Sequence, residues 1–447
     1  SANGSITISA NMAAGDAAPI YITTATSTVG STGTGVVYIK ENSANASTTA
    51  TYLNNLNLNT AGDAYIIVNR LSTASTSTFT TGGTLRIEPA AAAFPTTLNF
   101  PGSAVVGSAT AGLIIGKSLT SGSVTLGASN VSIAGPITVI GTVAGVDANA
   151  TVTGFGNSIT IKSADASWTG AGRTIQTNGG NITFWADADV SSSGNILIGD
   201  ANTFSTAGGK LTLAGGADGG ASTVVSGRVS GDSLPDGFAW GTGATNTWNK
   251  NNRGVMLDGN ETINTAGGAI FIAGHGPNLF AGVGGQGVVL GRASKIAAGS
   301  GKIGIYGTTN ASGSVSLAFN TGVELQGYGG TQLRPLTISS SNGSADAIEI
   351  KGDASASSSE SSPGVASINF ESKTDAPANF IANTGAGGIQ ITGRAGTRTF
   401  PDLTDMIGDG IELAGIGVLA KSGPISFAGD TSASSSGLSY GFAIDHT

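Results

Sequence analysis

The chain has 447 residues, of which 72 are glycine and none is cysteine, and its formal net charge is −8. Hydrophobic residues make up 39% and charged residues only 10%, which argues against a disordered chain and against nucleic acid as a partner, since nucleic-acid binding needs clustered Lys and Arg. The lack of cysteine excludes disulfides, iron–sulfur clusters and thiolate zinc sites, and no run of 18 apolar residues predicts a transmembrane helix.

The first 80 residues carry short alternating apolar runs in which a repeat is only weakly visible. We expect residues 1–80 to form weaker coils or a cap, because the terminal units of a repeat protein depart from the common pattern. The chain begins at Ser1 and ends at Thr447 with no recognisable signal peptide or anchor, and we expect both ends to be cut from a longer protein.

One phrase then recurs along the chain. It consists of an apolar residue, a polar stretch ending in Gly-Gly or Ser-Gly, and a short run with alternating apolar residues. Gly180 and Gly209 are 29 residues apart and Gly209 and Gly268 are 59 apart, so the period is near 30 residues with insertions at fixed corners. Copies of the phrase are Phe79–Ile87, Ile175–Phe184, Phe204–Leu213, Ile263–Ile272, Ile296–Ile305 and Leu419–Phe427.

A second short strand precedes several copies, as in Gly254–Leu257 and Gly287–Leu290. Strands this short gain stability only when each one stacks on the equivalent strand of the next coil. The sequence therefore predicts an all-β fold, a right-handed parallel β-helix forming one elongated domain over residues 1–447, with roughly 15 coils of about 30 residues. An antiparallel sandwich is the alternative, since it also contains short alternating strands.

An insertion interrupts the repeat at Ala217–Arg253. It holds two of the four tryptophans of the chain, Trp240 and Trp248, together with Phe238 and Arg253. Aromatic and arginine side chains on an exposed loop could stack on sugar rings or anchor a protein partner. The alternative is that these aromatic rings pack the insertion onto the side of the coils.

Acidic side chains are the only candidates for metal binding. Carboxylate oxygens suit Ca²⁺, although aspartates at turns more often accept hydrogen bonds from their own backbone. A smaller insertion, 394–408, contains two of these aspartates and is a second candidate for a binding loop. The weak calcium candidates are Asp187, Asp189, Asp402, Asp405 and Asp409. No cofactor is predicted.

Catalysis has a single candidate, His275, one of only two histidines. The run Gly274-His275-Gly276 resembles a short motif of the polygalacturonases, which are β-helical glycosidases. That chemistry needs two carboxylates flanking the bond, and here Ala266 stands where an aspartate would be required. We therefore predict that the chain is not an enzyme.

The runs Asn264–Ala273 and Gly410–Ala420 resemble the repeats of large bacterial exoproteins. These are the filamentous-haemagglutinin-like, two-partner-secretion or autotransporter adhesins, whose passengers are right-handed β-helices. The resemblance implies a secreted adhesin or filament at the bacterial cell surface, with a host, cell-surface or matrix glycan or protein as its partner. The asparagine-proline motifs of that family's secretion domain are absent, so the chain would be passenger.

Two other function classes stay open. The first is a structural protein that self-associates into an extracellular fibre, sheath or layer, because unpaired strands at the ends of a β-helix template further pairing. The second is a β-helical polysaccharide-degrading enzyme, for which the residues of a catalytic site are sparse.

Overall fold

The structure is a computed structural model that describes residues 4–10, 20–22, 27–41, 50–219, 231–242, 250–278, 285–310, 320–329, 332–359, 363–368, 379–398, 409–432 and 440–445. Within these residues one short 3₁₀ helix, Lys250–Asn252, accompanies the β-strands. No helix in the described ranges has the length and apolar character needed to cross a membrane. The chain forms two compact units, Ser1–Ile182 and Thr183–Thr447.

The first unit contains strands β1 to β21. In chain order they are β1 Ile6–Ala10, β2 Tyr21–Ile22, β3 Ser27–Val29, β4 Val37–Glu41, β5 Thr51–Leu53, β6 Leu56–Thr60, β7 Ala64–Ile67, β8 Leu71–Thr73, β9 Thr78–Thr81, β10 Thr84–Glu88, β11 Leu98–Gly102, β12 Val105–Val106, β13 Gly112–Ile115, β14 Ser123–Ala128, β15 Val131–Ile133, β16 Ile137–Gly141, β17 Val143–Asp147, β18 Ala150–Phe155, β19 Ile159–Ser163, β20 Ser167–Thr169 and β21 Thr174–Asn178.

The second unit contains β22, whose first residue closes the first unit, and all later strands. In chain order they are β22 Ile182–Ala186, β23 Ile196–Ile198, β24 Thr203–Ser205, β25 Leu211–Gly215, β26 Ala239–Trp240, β27 Val255–Leu257, β28 Thr262–Asn264, β29 Ile270–Asn278, β30 Val288–Leu290, β31 Lys295–Ala297, β32 Ile303–Asn310, β33 Val323–Gln326, β34 Tyr328–Gly329, β35 Gln332–Leu333, β36 Thr337–Ser340, β37 Ile348–Asp353, β38 Ser358–Ser359, β39 Val365–Ile368, β40 Asn379–Asn383, β41 Ile389–Arg394, β42 Thr397–Arg398, β43 Ile411–Ala414, β44 Ile416–Ala420, β45 Ile425–Asp430 and β46 Phe442–Asp445.

In the first unit the strands stack into three parallel faces. The first face runs β1-β4-β7-β10-β13-β16-β19, so this unit has seven coils. The second face is β2-β5-β8 followed by β11-β14-β17-β20, and the third is β3-β6-β9-β12 followed by β15-β18-β21. Strand β8 contacts β11 and β12 contacts β15, which keeps each face continuous.

The second unit repeats this plan. Its first face is β22-β25-β29-β32-β37-β41-β45, its second face β23-β27-β30-β33-β39-β43-β46 and its third face β24-β28-β31-β36-β40-β44. Strand β26 adds to the edge of β29, β38 pairs with β42, and β34 and β35 form an antiparallel hairpin. Within each coil the first corner joins the first and second faces, the second corner joins the second and third, and the third corner leads to the next coil.

Alternation along the strands builds the interior. In β16 the side chains of Ile137 and Val139 point inward and are fully buried, while Thr138 and Ile140 between and after them point outward. Parallel pairing in register stacks like residues on like, so that Ile137 lies beside Ile159 of the next coil. Each unit is therefore held by a continuous ladder of apolar side chains together with backbone hydrogen bonds.

The recurring phrase forms the third corner. The hydroxyl of Thr177 donates to the carbonyl of Gly180 over 2.5 Å, and Thr265 makes the same bond to Gly268. The bond closes a tight turn, and Ala266 within that turn has a positive φ of 51°. The threonine of the phrase thus satisfies a buried carbonyl at the point where the chain rises to the next coil.

The second glycine of the phrase is required by close stacking. A Cβ atom added to Gly268 would lie 1.8 Å from the carbonyl oxygen of Gly209, and one added to Gly301 would lie 2.0 Å from that of Gly268. Consecutive third corners therefore pack backbone on backbone, and only glycine leaves room for this contact.

These observations confirm the predicted all-β, parallel β-helical fold, and the antiparallel sandwich is wrong because the faces are parallel. Each unit contributes seven strands to the first face, close to the expected total of about 15 coils. The right-handed sense, the single-domain organisation and a cap within residues 1–80 stay predictions.

Candidate functional site

The first corner of the second unit carries an insertion in every coil. From β22 to β46, 9 to 39 residues separate the end of each first-face strand from the second-face strand that follows it. From β24 to β45 the third corner takes only 4 to 7 residues. Additional chain is therefore concentrated at one corner, where it leaves the packed interior unchanged.

Paired glycines mark where these insertions depart and return. A Cβ atom added to Gly352 would lie 1.7 Å from the carbonyl oxygen of Gly364, and one added to Gly393 would lie 1.8 Å from that of Gly410. The departing and returning backbones are thus in direct contact across the first corner. The same arrangement occurs at Gly307 with Gly322 and at Gly429 with Gly441.

The insertion Ala217–Arg253 is described in its parts 217–219, 231–242 and 250–253. Phe238 is 8% exposed and belongs to an apolar cluster on the outer side of the first face, whose other members are Ala214, Phe271, Ala273 and Tyr306. The amide of Gly237 donates to the carbonyl of Gly215 over 2.8 Å. The insertion therefore covers the first face with its own apolar side chain.

Trp240 fixes the end of this covering segment. It lies in β26, which pairs with β29 so that Trp240 is in register with His275. The two rings stack with their centroids 3.7 Å apart and an angle of 20° between their planes, and Phe238 approaches His275 edge-on at 6.4 Å. Trp240 is half-buried, so part of its ring still faces outward.

The stacking explains the state of His275. Its side chain is buried, and burial lowers its pKa from 6.5 to about 4 despite a hydrogen bond between Nδ1 and the carbonyl of Gly276. The imidazole is consequently neutral at pH 7, and aromatic rings cover it. This environment supports a packing role for the histidine.

Arg253 lies at the foot of the insertion and is 7% exposed. One guanidinium nitrogen contacts the sulfur of Met256 at 3.5 Å. Burial lowers the pKa of the guanidinium, while the charges of Glu324 and Asp258 oppose that change. Trp248, the remaining predicted ligand residue, lies outside the described residues.

The aspartates proposed for calcium are separated. Asp187 is buried and accepts hydrogen bonds from the hydroxyl of Ser191 at 3.1 Å and the amide of Ser193 at 3.4 Å, and burial raises its pKa to about 6. Asp189 is exposed. Asp409 is buried and accepts from the amide of Tyr440, again with a raised pKa.

Asp402 and Asp405 lie outside the described residues. In the ranges that the structure describes, no three acidic, histidine or cysteine side chains come together in a way that could hold a metal ion.

The smaller insertion begins beside an ion-pair ladder. Arg394 reaches Asp353 of the preceding coil and Asp430 of the following coil, each at 3.2 Å. The charge of Asp353 raises the pKa of Arg394, and backbone and side-chain hydrogen bonds from Ser432 lower that of Asp430. All three side chains are about half exposed, so their contribution to stability is small.

A pocket of about 230 Å³ opens on the outer side of the first face, next to the apolar cluster. It crosses β25, β29, β32 and β37, and sequence analysis did not identify it. Its aromatic and polar lining comprises Thr212, Phe271, Lys302, Tyr306, Asp346 and Glu349. Register explains this grouping, because Thr212 pairs with Phe271, and Gly304 pairs with both Phe271 and Glu349.

No protein-family model, curated protein or solved structure matches the chain.

Proposed function

We propose that the chain is the β-helical passenger of a secreted bacterial surface adhesin of the filamentous-haemagglutinin-like or autotransporter kind. Its coils form a rigid support, and its first-corner insertions bind a glycan or protein on a host cell, another cell or the extracellular matrix. The observation that carries the proposal is the run of insertions in consecutive coils at one corner of the second unit. Binding sites on loops held by a rigid scaffold are a common arrangement.

The large insertion is the first element to test, because it combines a covering apolar segment with Trp248. Replacing Trp248 with alanine should lower attachment of chain-coated beads to cells or matrix by about tenfold or more, as expected for an aromatic side chain central to binding. Thermal unfolding should be unchanged. The matched control is Trp168→Ala, which removes a half-buried outward tryptophan from the first unit and should leave attachment intact.

Replacing whole insertions tests the first corner itself. We expect that exchanging residues 311–319 for a Gly-Ser linker of equal length weakens attachment, whereas the same exchange of residues 369–378, which follow the second face, does not. Failure of the native chain to attach to any cell, glycan or matrix surface would contradict the adhesin proposal.

Self-association into a fibre, sheath or layer is the second candidate. It is supported by β45, where Ile425 and Phe427 are exposed and the ring of Phe427 stacks on that of Phe442 at 5.0 Å. Exposed apolar residues on a strand with an open edge favour pairing with another strand. Regular polymers of the purified chain in electron micrographs would support assembly, and a stable monomer in analytical ultracentrifugation at all concentrations would count against it.

Polysaccharide degradation is the weakest candidate. Its one motif residue, His275, is neutral and stacked between aromatic rings rather than beside a carboxylate. A general acid or base needs access to the bond that reacts. Turnover of a polysaccharide that is abolished by His275→Ala would overturn this argument.

A further inference from the structure

The pocket on the first face has the size of a site for one small unit. Its volume of about 230 Å³ lies below the range of roughly 300–1,000 Å³ that holds drug-sized ligands. It is open to solvent on the outer side of the first face. A polymer could therefore place one of its residues in the pocket while the rest of the chain continues outside.

One wall of the pocket is aromatic and carries a carboxylate. The rings of Phe271 and Tyr306 have their centroids 5.6 Å apart at an angle of 42°. The hydroxyl of Tyr306 donates to Glu349, whose other carboxylate oxygen lies 2.5 Å from the ammonium of Lys351. Glu349 is 7% exposed, so its carboxylate is held in one orientation by these partners.

The pocket also offers polar groups in two further positions. Thr212 is fully buried, and its hydroxyl has no hydrogen-bond partner within the described part of the chain. A buried hydroxyl without a partner is unfavourable, so a small movement of its neighbours that admits a ligand hydroxyl would be favoured. At the rim, the ammonium of Lys302 lies 2.7 Å from a carboxylate oxygen of Asp346, and both side chains are nearly half exposed.

We propose that this pocket binds a single pyranose residue of a glycan. A pyranose ring presents an apolar face of C–H groups, which fits against the rings of Phe271 and Tyr306, and a rim of hydroxyls. Those hydroxyls can donate to Asp346 and accept from Lys302. Because the lysines and carboxylates at the site are paired, a neutral sugar suits the charge better than an inorganic anion.

The inference rests on the proposed adhesin function, since it names a glycan as the ligand class. The test uses the full chain and a panel of methyl pyranosides of glucose, galactose, mannose and N-acetylglucosamine, followed by saturation-transfer NMR. At least one of these should bind, and Phe271→Leu should weaken it roughly five- to tenfold by removing the aromatic face. Phe380→Leu, an outward phenylalanine on the third face, is the matched control.

A second pair of variants avoids the risk that Phe271→Leu disturbs folding. Lys302→Gln should weaken binding of the same pyranoside by roughly threefold, because one exposed donor is lost. Lys295→Gln, at an exposed position on the third face, should have no effect. The inference is overturned if no pyranoside binds, if binding is insensitive to both pocket variants, or if only sulfate or phosphate competes for the site.

The two proposals can fail separately. Attachment of chain-coated beads that persists in Phe271→Leu and Lys302→Gln, with no pyranoside binding, would remove the pocket inference and leave the adhesin proposal. Pyranoside binding that responds to both pocket variants, without attachment to any surface, would do the reverse.

Discussion

Close backbone contact at the third corner makes single glycines decisive. The carbonyl oxygen of Gly209 lies where a side chain on Gly268 would begin, and the hydroxyl of Thr265 already occupies the inner side of the same turn. No rotation of a side chain can relieve such a contact, because both partners are backbone atoms. The Gly-Gly pair in the sequence thus reports a stacking requirement in addition to a turn.

We therefore predict that Gly268→Ala destabilises the second unit by more than about 3 kcal/mol, since the backbone has to shift to accept a methyl group. Gly343→Ala is the control, because that glycine is exposed and an added Cβ would meet no atom within 4 Å. Urea unfolding followed by circular dichroism distinguishes the two variants. Equal stability of both would show that the third corner tolerates side chains.

The buried histidine gives stability a definite pH dependence. His275 has a pKa of about 4 in the folded chain and an ordinary pKa of 6.5 when exposed, so between these values the unfolded chain binds a proton that the folded chain does not. Its contribution to the free energy of unfolding should therefore fall by up to about 3 kcal/mol as the pH drops from 6.5 to 4. Comparing wild type with His275→Gln by urea unfolding across this range isolates the contribution.

Asp187 supplies a comparison of opposite sign. Burial raises its pKa from 3.8 to about 6, so the folded chain holds a proton that the unfolded chain releases, and stability is lost as the pH rises through this range. Asp187→Asn should remove that loss. If both variants shifted the pH profile in the same direction, the assignment of at least one pKa would be wrong.

At the scale of strands and turns, the sequence predicted local features better than distant ones. The recurring phrase located the third corner, and Gly254–Leu257 and Gly287–Leu290 contain second-face strands β27 and β30. Both depend on neighbouring residues. The pocket and the contact of Trp240 with His275 depend on which coils lie side by side, and this register is set by insertions of irregular length that periodicity cannot resolve.

Strand β26 shows how such a contact can be tested. Removing the Trp240 ring should expose His275 to water and raise its pKa from about 4 towards 6.5, because burial is the main cause of the depression. Proton NMR can follow the titration, since the chain has only two histidines, and His446→Gln assigns the signals. Trp168→Ala should leave the pKa of His275 unchanged, and an unchanged pKa in Trp240→Ala would argue against the stack.

At the scale of the whole molecule, stability is a sum of contributions from neighbouring coils. In a repeat fold each coil contacts mainly the coils before and after it, so the effect of a substitution fades with distance along the stack. The two compact units each contain seven first-face strands and their own apolar interior. Opening is expected to begin locally, without loss of all coils at once.

Hydrogen exchange can measure this directly. Gly268→Ala should lower amide protection in β25, β29 and β32, which flank the altered corner, by about a hundredfold or more. Protection in the first unit, for example in β16, should change by less than about threefold. Uniform loss of protection across both units would show instead that the chain unfolds as one cooperative body.

The paired glycines of the first corner have a consequence for how such a chain can diversify. Because Gly352 contacts Gly364, and Gly393 contacts Gly410, the two ends of an insertion are already held together before any residue of the insertion is chosen. Lengthening the segment between them then adds only the slowly growing entropy of a longer loop. Related chains should differ freely in sequence and length between these glycines while retaining the pairs, so that new recognition properties can arise without re-evolving the support.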